Sequence, residues 1–128
     1  MRTFILVAFI LSFMPMALAN SIDLSHSGFE EKIATDSNTI IIDVRTAREF
    51  TQGRVPNSIN IPHSDILEDL SLLDEYKGKD LVFYCRSGYR AGRVTDLIEA
   101  KNYIDKGNVY HLDGDMLGWQ AANKPVEK

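Results

Sequence analysis

Apolar residues in this chain fall into short blocks separated by polar, turn-forming stretches, and the blocks are of two kinds. Ile40-Ile41-Ile42, Leu81-Val82-Phe83-Tyr84 and Val109-Tyr110-His111-Leu112 are short runs rich in β-branched and aromatic residues. Such runs predict strands, those of continuous apolar residues being buried on both faces. Ile22-Asp23-Leu24 and Ser58-Ile59-Asn60-Ile61 predict a short and a weaker strand, the latter stopped by Pro62. The other blocks have helical spacing. Ser27-x-x-Glu30 reads as a capping box that opens a helix with Phe29, Ile33 and Ala34 on its apolar face, ended by Asp36-Ser37-Asn38. Ala47 to Thr51 predicts a short helix before Gly53, and Asp65 to Tyr76 predicts one or two short helices around Ile66, Leu67, Leu70, Leu72 and Leu73. After the turn Lys77-Gly78-Lys79-Asp80, a helix from about Ala91 to Ala100 aligns Ala91, Val94, Leu97 and Ile98, and a last one from Asp115 to Ala122 carries Met116, Leu117 and Trp119. Strands alternating with helices predict an α/β fold with a mainly parallel sheet. Ligands of such sheets bind beyond the carboxyl ends of the strands, near a switch in strand order. The sequence has no internal repeat, low-complexity tract or second domain.

The first nineteen residues stand apart from this pattern. Arg2 precedes the apolar stretch Phe4 to Phe13, Pro15 breaks it, and Ala17-Leu18-Ala19 has the form of a cleavage site. The apolar stretch falls short of the ~20 residues a membrane span needs. Residues 1–19 are therefore expected to be a cleaved signal peptide and residues 20–128 a single exported domain, periplasmic and without stable membrane insertion. The chain carries a net charge of −4, and the leader removes only Arg2 from the balance. This mild acidity argues against nucleic acid as a partner.

The chemistry concentrates in Cys85-Arg86-Ser87-Gly88-Tyr89-Arg90, between a predicted buried strand and a helix start. Cys85 is the chain's single cysteine and has no disulfide partner within it. Loop N–H groups, a helix N-terminus and two arginines make the local potential positive, which favours the nucleophilic thiolate. The competing reading of a lone cysteine is a small buried apolar residue.

These residues resemble the rhodanese-homology domain, in particular a small exported single-domain thiosulfate sulfurtransferase. Asp43-Val44-Arg45-x-x-x-Glu49-Phe50-x-x-Gly53 is similar to the first signature of that family, and Asn60-Ile61-Pro62 to the segment after it. The six-residue loop from Cys85 to Arg90 is similar to its active loop, and Leu112-x-Gly114-x-x-x-x-Trp119 with Lys124-Pro125-Val126 to its C-terminal signature. The chain departs from the pattern at Arg54, Asn57-Ser58, Asn123 and Asp115, the last standing where the family has a second glycine.

The resemblance implies a three-layer α/β/α fold around a central, mainly parallel five-stranded sheet, and sulfur transfer from a donor such as thiosulfate to cyanide or a thiol. It implies Cys85 as the catalytic nucleophile that carries a persulfide, with Arg86, Ser87, Gly88, Tyr89 and Arg90 binding the substrate. Of the two arginines, one is also suited to brace the loop through an acidic residue such as Glu49. Asp43, Arg45 and Glu49 are expected to be structural. No cofactor is expected, and His26, His63 and His111 lack metal-ligand spacing. A cysteine-phosphatase loop places its arginine one position further from the cysteine than Arg90 stands from Cys85, so the shorter loop suits a persulfide better than a phosphate. A non-enzymatic persulfide carrier serving a protein acceptor fits the same loop.

Overall fold

A computed structural model describes residues 21–128; the expected signal peptide and the expected start at Asn20 lie outside the described residues. The strands are β1 (Ile22–Leu24), β2 (Thr39–Asp43), β3 (Ile59–Asn60), β4 (Asp80–Tyr84) and β5 (Val109–Leu112). The α-helices are α1 (His26–Thr35), α2 (Ala47–Gln52), α3 (His63–Glu68), α4 (Tyr89–Ala100) and α5 (Asp115–Ala121), with 3-10 turns at Leu70–Tyr76 and Lys106–Asn108. The sheet has the order β1-β5-β4-β2-β3, and every pairing is parallel.

The side-chain alternation of the central strands divides the core in two. Ile42, Leu81 and Phe83 meet Ile66, Leu73, Ala91, Val94 and Ile98 on one face. Ile41, Val82 and Tyr84 meet Phe29, Leu112, Met116 and Trp119 on the other. Leu81–Tyr84 of β4 are buried on both faces, which is why these four positions form an unbroken apolar run. Burying each such side chain contributes on the order of 1.5–3 kcal/mol before ordering costs.

Two local expectations are corrected. The capping box at Ser27 and Glu30 does not form: α1 starts at His26, and Ser25 Oγ accepts the Gly28 N–H at 3.1 Å. A serine was available two positions earlier, and its extended backbone places its hydroxyl oxygen to accept the free amide first. Ile33 and Ala34 also do not face the core; Ile33 is 39% exposed and Phe29 is the buried residue of α1. The inward turn of α1 is completed by Lys32, whose ammonium reaches Asp80 at 2.7 Å and lies 4.5 Å from the Tyr110 ring centre. A capping box forms instead on α2, where Thr46 Oγ1 accepts the Glu49 N–H and Glu49 accepts the Thr46 N–H.

The topology sets the place of the site. From β2 the chain moves outward to β3, then returns on the other side of β2 as β4. The carboxyl ends of β2 and β4 therefore flank a switch in strand order, where open α/β sheets leave a crevice. The Val44 N–H donates to Tyr84 O at 3.0 Å and holds the two strand ends together at that point.

Candidate active site

At the end of β4 the backbone turns sharply into α4, and Cys85 occupies the first position of the turn. Gly88 caps α4 in a left-handed conformation, with φ of 110°. A Cβ there would stand 3.0 Å from Asp115 Oδ2, so both the dihedral and the space call for glycine. The tight turn folds the helix N-terminus over the cysteine. Cys85 Sγ accepts the N–H of Gly88 at 3.1 Å and that of Ala91 at 3.4 Å. The N–H groups of Arg86, Ser87, Tyr89 and Arg90 have no acceptor among the described residues. Four N–H groups of the same loop thus remain without an acceptor, beside a sulfur held by two others, an arrangement suited to an anion or to a further sulfur atom.

Cys85 is 1% exposed, whereas Arg86, Ser87 and Tyr89 at the loop surface are exposed, Tyr89 to 73%. The loop is fixed from behind by α5. The Met116 N–H donates to Cys85 O at 2.9 Å and the Leu117 N–H to Arg86 O at 3.1 Å. The Cys85 N–H itself donates to Asp115 Oδ1 at 3.0 Å.

The two arginines of the loop differ. Arg90 forms a fork with Glu49 of α2, Nη1 to Oε1 at 2.7 Å and Nη2 to Oε2 at 3.0 Å. The hydrogen bond from Arg90 holds the Glu49 carboxyl at about 2, well below the usual range. Arg86 is exposed, and its side chain takes part in none of the ion pairs among the described residues. Ser87 and Tyr89 make no side-chain hydrogen bond to the loop, and Gly88 contributes backbone alone.

Asp43, Arg45 and Glu49 form the frame beneath. Arg45 Nη2 bonds Asp43 Oδ2 and Gly53 O, each at 2.7 Å, in the buried interior. Tyr84 accepts the Val55 N–H at its hydroxyl and lies 3.2 Å from Ser58 Oγ, and burial pushes its phenol up beyond the usual range. His63 is half-buried at the start of α3; burial first, then Arg90 and Arg93, lower its pKa. Among the described residues no group of three or more His, Cys, Asp or Glu is placed to hold a metal ion.

The sequence did not single out His111 and Asp115 for the site. His111 bridges two carboxylates, Nδ1 to Asp23 at 3.1 Å and Nε2 to both oxygens of Asp115 at 3.0 Å. The signal that would have found them is Asp115 itself, an acidic residue where the resemblance expects glycine.

A rhodanese-like domain model matches residues 25–122, so the chain belongs to the rhodanese-like domain family. It is similar to YtwF of Bacillus subtilis (strain 168), a protein named as a sulfurtransferase, with 32% identity over 80% of this chain and 94% of that one. A sulfurtransferase of Allochromatium vinosum is 27% identical over 85% of this chain and 95% of its own length. The crystal structure of a rhodanese-related protein from Thermoplasma volcanium superposes with a TM-score of 0.66 at 24% identity, covering 83% of this chain and 97% of that one, which shows the shared fold. The domain also occurs within longer relatives named as tRNA uridine(34) hydroxylases.

Proposed function

We propose that the protein is a sulfurtransferase that moves a sulfane sulfur from a donor such as thiosulfate to cyanide or a thiol through a persulfide on Cys85. The observation that carries this reading is the loop at Cys85, with two N–H groups bonded to Sγ and four more left without an acceptor. The Cys85 thiolate attacks the outer sulfur of thiosulfate. The new S–S bond forms as the old one breaks, and sulfite leaves with the bonding electron pair. The free amides then hold the outer sulfur of the persulfide. An acceptor attacks that sulfur and the Cys85 thiolate departs, so thiocyanate forms when the acceptor is cyanide. Two half-reactions through a covalent intermediate give ping-pong kinetics. Arg86 at the exposed mouth docks the dianionic donor, while Arg90 holds the loop to Glu49. Ser87 and Tyr89 flank the same mouth. Replacing Cys85 with serine tests the reading: thiocyanate production falls to background while circular dichroism stays native. Substantial residual activity would remove Cys85 from the mechanism.

The burial of Cys85 favours a second reading, a persulfide carrier that hands sulfur to one protein partner. A carrier loads one sulfur but turns over slowly on thiosulfate and free cyanide, whereas an enzyme cycles. The leader pattern supports export to the periplasm in either case.

A further inference from the structure

Behind the loop lies a line of polar groups that the transfer steps do not use. Asp115 is 2% exposed and adopts φ of 53°, a left-handed conformation that a non-glycine residue enters at a cost. Its carboxylate accepts the Cys85 N–H, lies against Gly88, and faces His111 Nε2. His111 is in β5, in register with Asp23 of β1, and bonds it through Nδ1. The charged groups that face His111 are thus Asp23 from β1 and Asp115 from α5. A neutral imidazole carries one N–H and serves one of these carboxylates; the imidazolium carries two and serves both. Burial opposes the charged ring, but the bonds and charges of Asp115 and Asp23 outweigh it and raise the His111 pKa above its usual value.

We propose that Asp115 is the positioning residue of the cysteine loop, and that protonated His111 anchors it to β1 and β5 so that the reactivity of Cys85 follows the charge of His111. The strained backbone at Asp115 is held because its carboxylate ties three elements to the residue that reacts. When His111 loses its proton, one carboxylate loses its donor and the tether from sheet to loop slackens. The amide bonds to Sγ from Gly88 and Ala91 loosen with it. The proposal rests on the sulfur-transfer reading only for its consequence in turnover, since thiol reactivity reports the loop directly.

The test combines substitutions with two readouts, iodoacetamide alkylation of Cys85 and sulfur loading from thiosulfate. Asp115→Gly relieves the left-handed strain and removes the tether. It is expected to fold, by circular dichroism and thermal melting, yet to lose about tenfold in alkylation rate, as for a lost charged hydrogen bond. Asp115→Asn keeps an acceptor for the Cys85 N–H but not the charge that faces His111, and restores part of that loss. In the wild type, the alkylation rate shows an inflection with pH that coincides with the His111 titration seen by NMR, and His111→Gln removes it. Wild-type rates in Asp115→Gly, or an unchanged pH profile in His111→Gln, overturn the proposal. Should Asp115→Gly fail to fold, the His111→Gln profile decides alone. A wild type whose alkylation follows His111 but which never takes up sulfur contradicts the sulfur-transfer reading and leaves the tether intact.

Discussion

Arg86 and Arg90 are the same residue type in one short loop, and their surroundings give them different work. Both guanidinium nitrogens of Arg90 that meet Glu49 are committed to a fork, while Arg86 is exposed. Several amides share the task of holding the Cys85 sulfur, so the loss of one guanidinium dents thiol reactivity little. Docking a dianion depends on fewer groups, and a lost charged hydrogen bond costs about 1.5–3 kcal/mol. Arg86→Ala is therefore expected to lower kcat/KM for thiosulfate roughly tenfold or more, with the iodoacetamide rate nearly unchanged. Equal losses in both would mean that Arg86 acts on the thiolate; no loss in either would remove it from donor binding.

At the scale of elements, the Arg90–Glu49 fork fastens α4 to α2, and with it one side of the loop. Its pH dependence follows from the sign of the shift. The Glu49 carboxyl is depressed to about 2 in the folded protein, so its contribution is present above the unfolded value of ~4.3 and is lost as pH falls through about 2. The pair is partly open to solvent, which screens it to on the order of 1 kcal/mol. Denaturant melts of the wild type and Glu49→Gln are expected to differ by that amount at pH 6 and to converge towards pH 2; a constant gap would show that the carboxylate charge is not what stabilises.

Legibility along the sequence follows the range of the forces involved. Runs such as Ile40–Ile42 and Leu81–Tyr84 announce strands because burial on both faces leaves no polar position, and Gly88 announces a tight turn because only glycine fits there. Helix starts are less legible where two serines compete, as Ser25 and Ser27 do. Ile33 reads as core by spacing alone, yet the layer above it is closed by Phe29 and Lys32. The His111–Asp23 bond was illegible because it depends on β1 lying beside β5, a pairing of strands far apart in the chain that no local pattern encodes.

At the scale of the whole molecule, two apolar layers clamp a parallel sheet, and the cysteine loop stands where the carboxyl ends of β2 and β4 flank the switch in strand order. The core needs no disulfide, so the single cysteine is free for chemistry. If the leader is cleaved on export, N-terminal sequencing of periplasmic material begins at Asn20; membrane-bound protein that retains Met1 would reject the signal-peptide reading. Sulfur transfer requires that Cys85 carry the sulfur between donor and acceptor. Intact-protein mass spectrometry after thiosulfate treatment tests it most directly. A gain of one sulfur atom is expected, localised to Cys85, absent from Cys85→Ser and removed by cyanide. An unchanged mass, or a sulfur that cyanide does not remove, would contradict it.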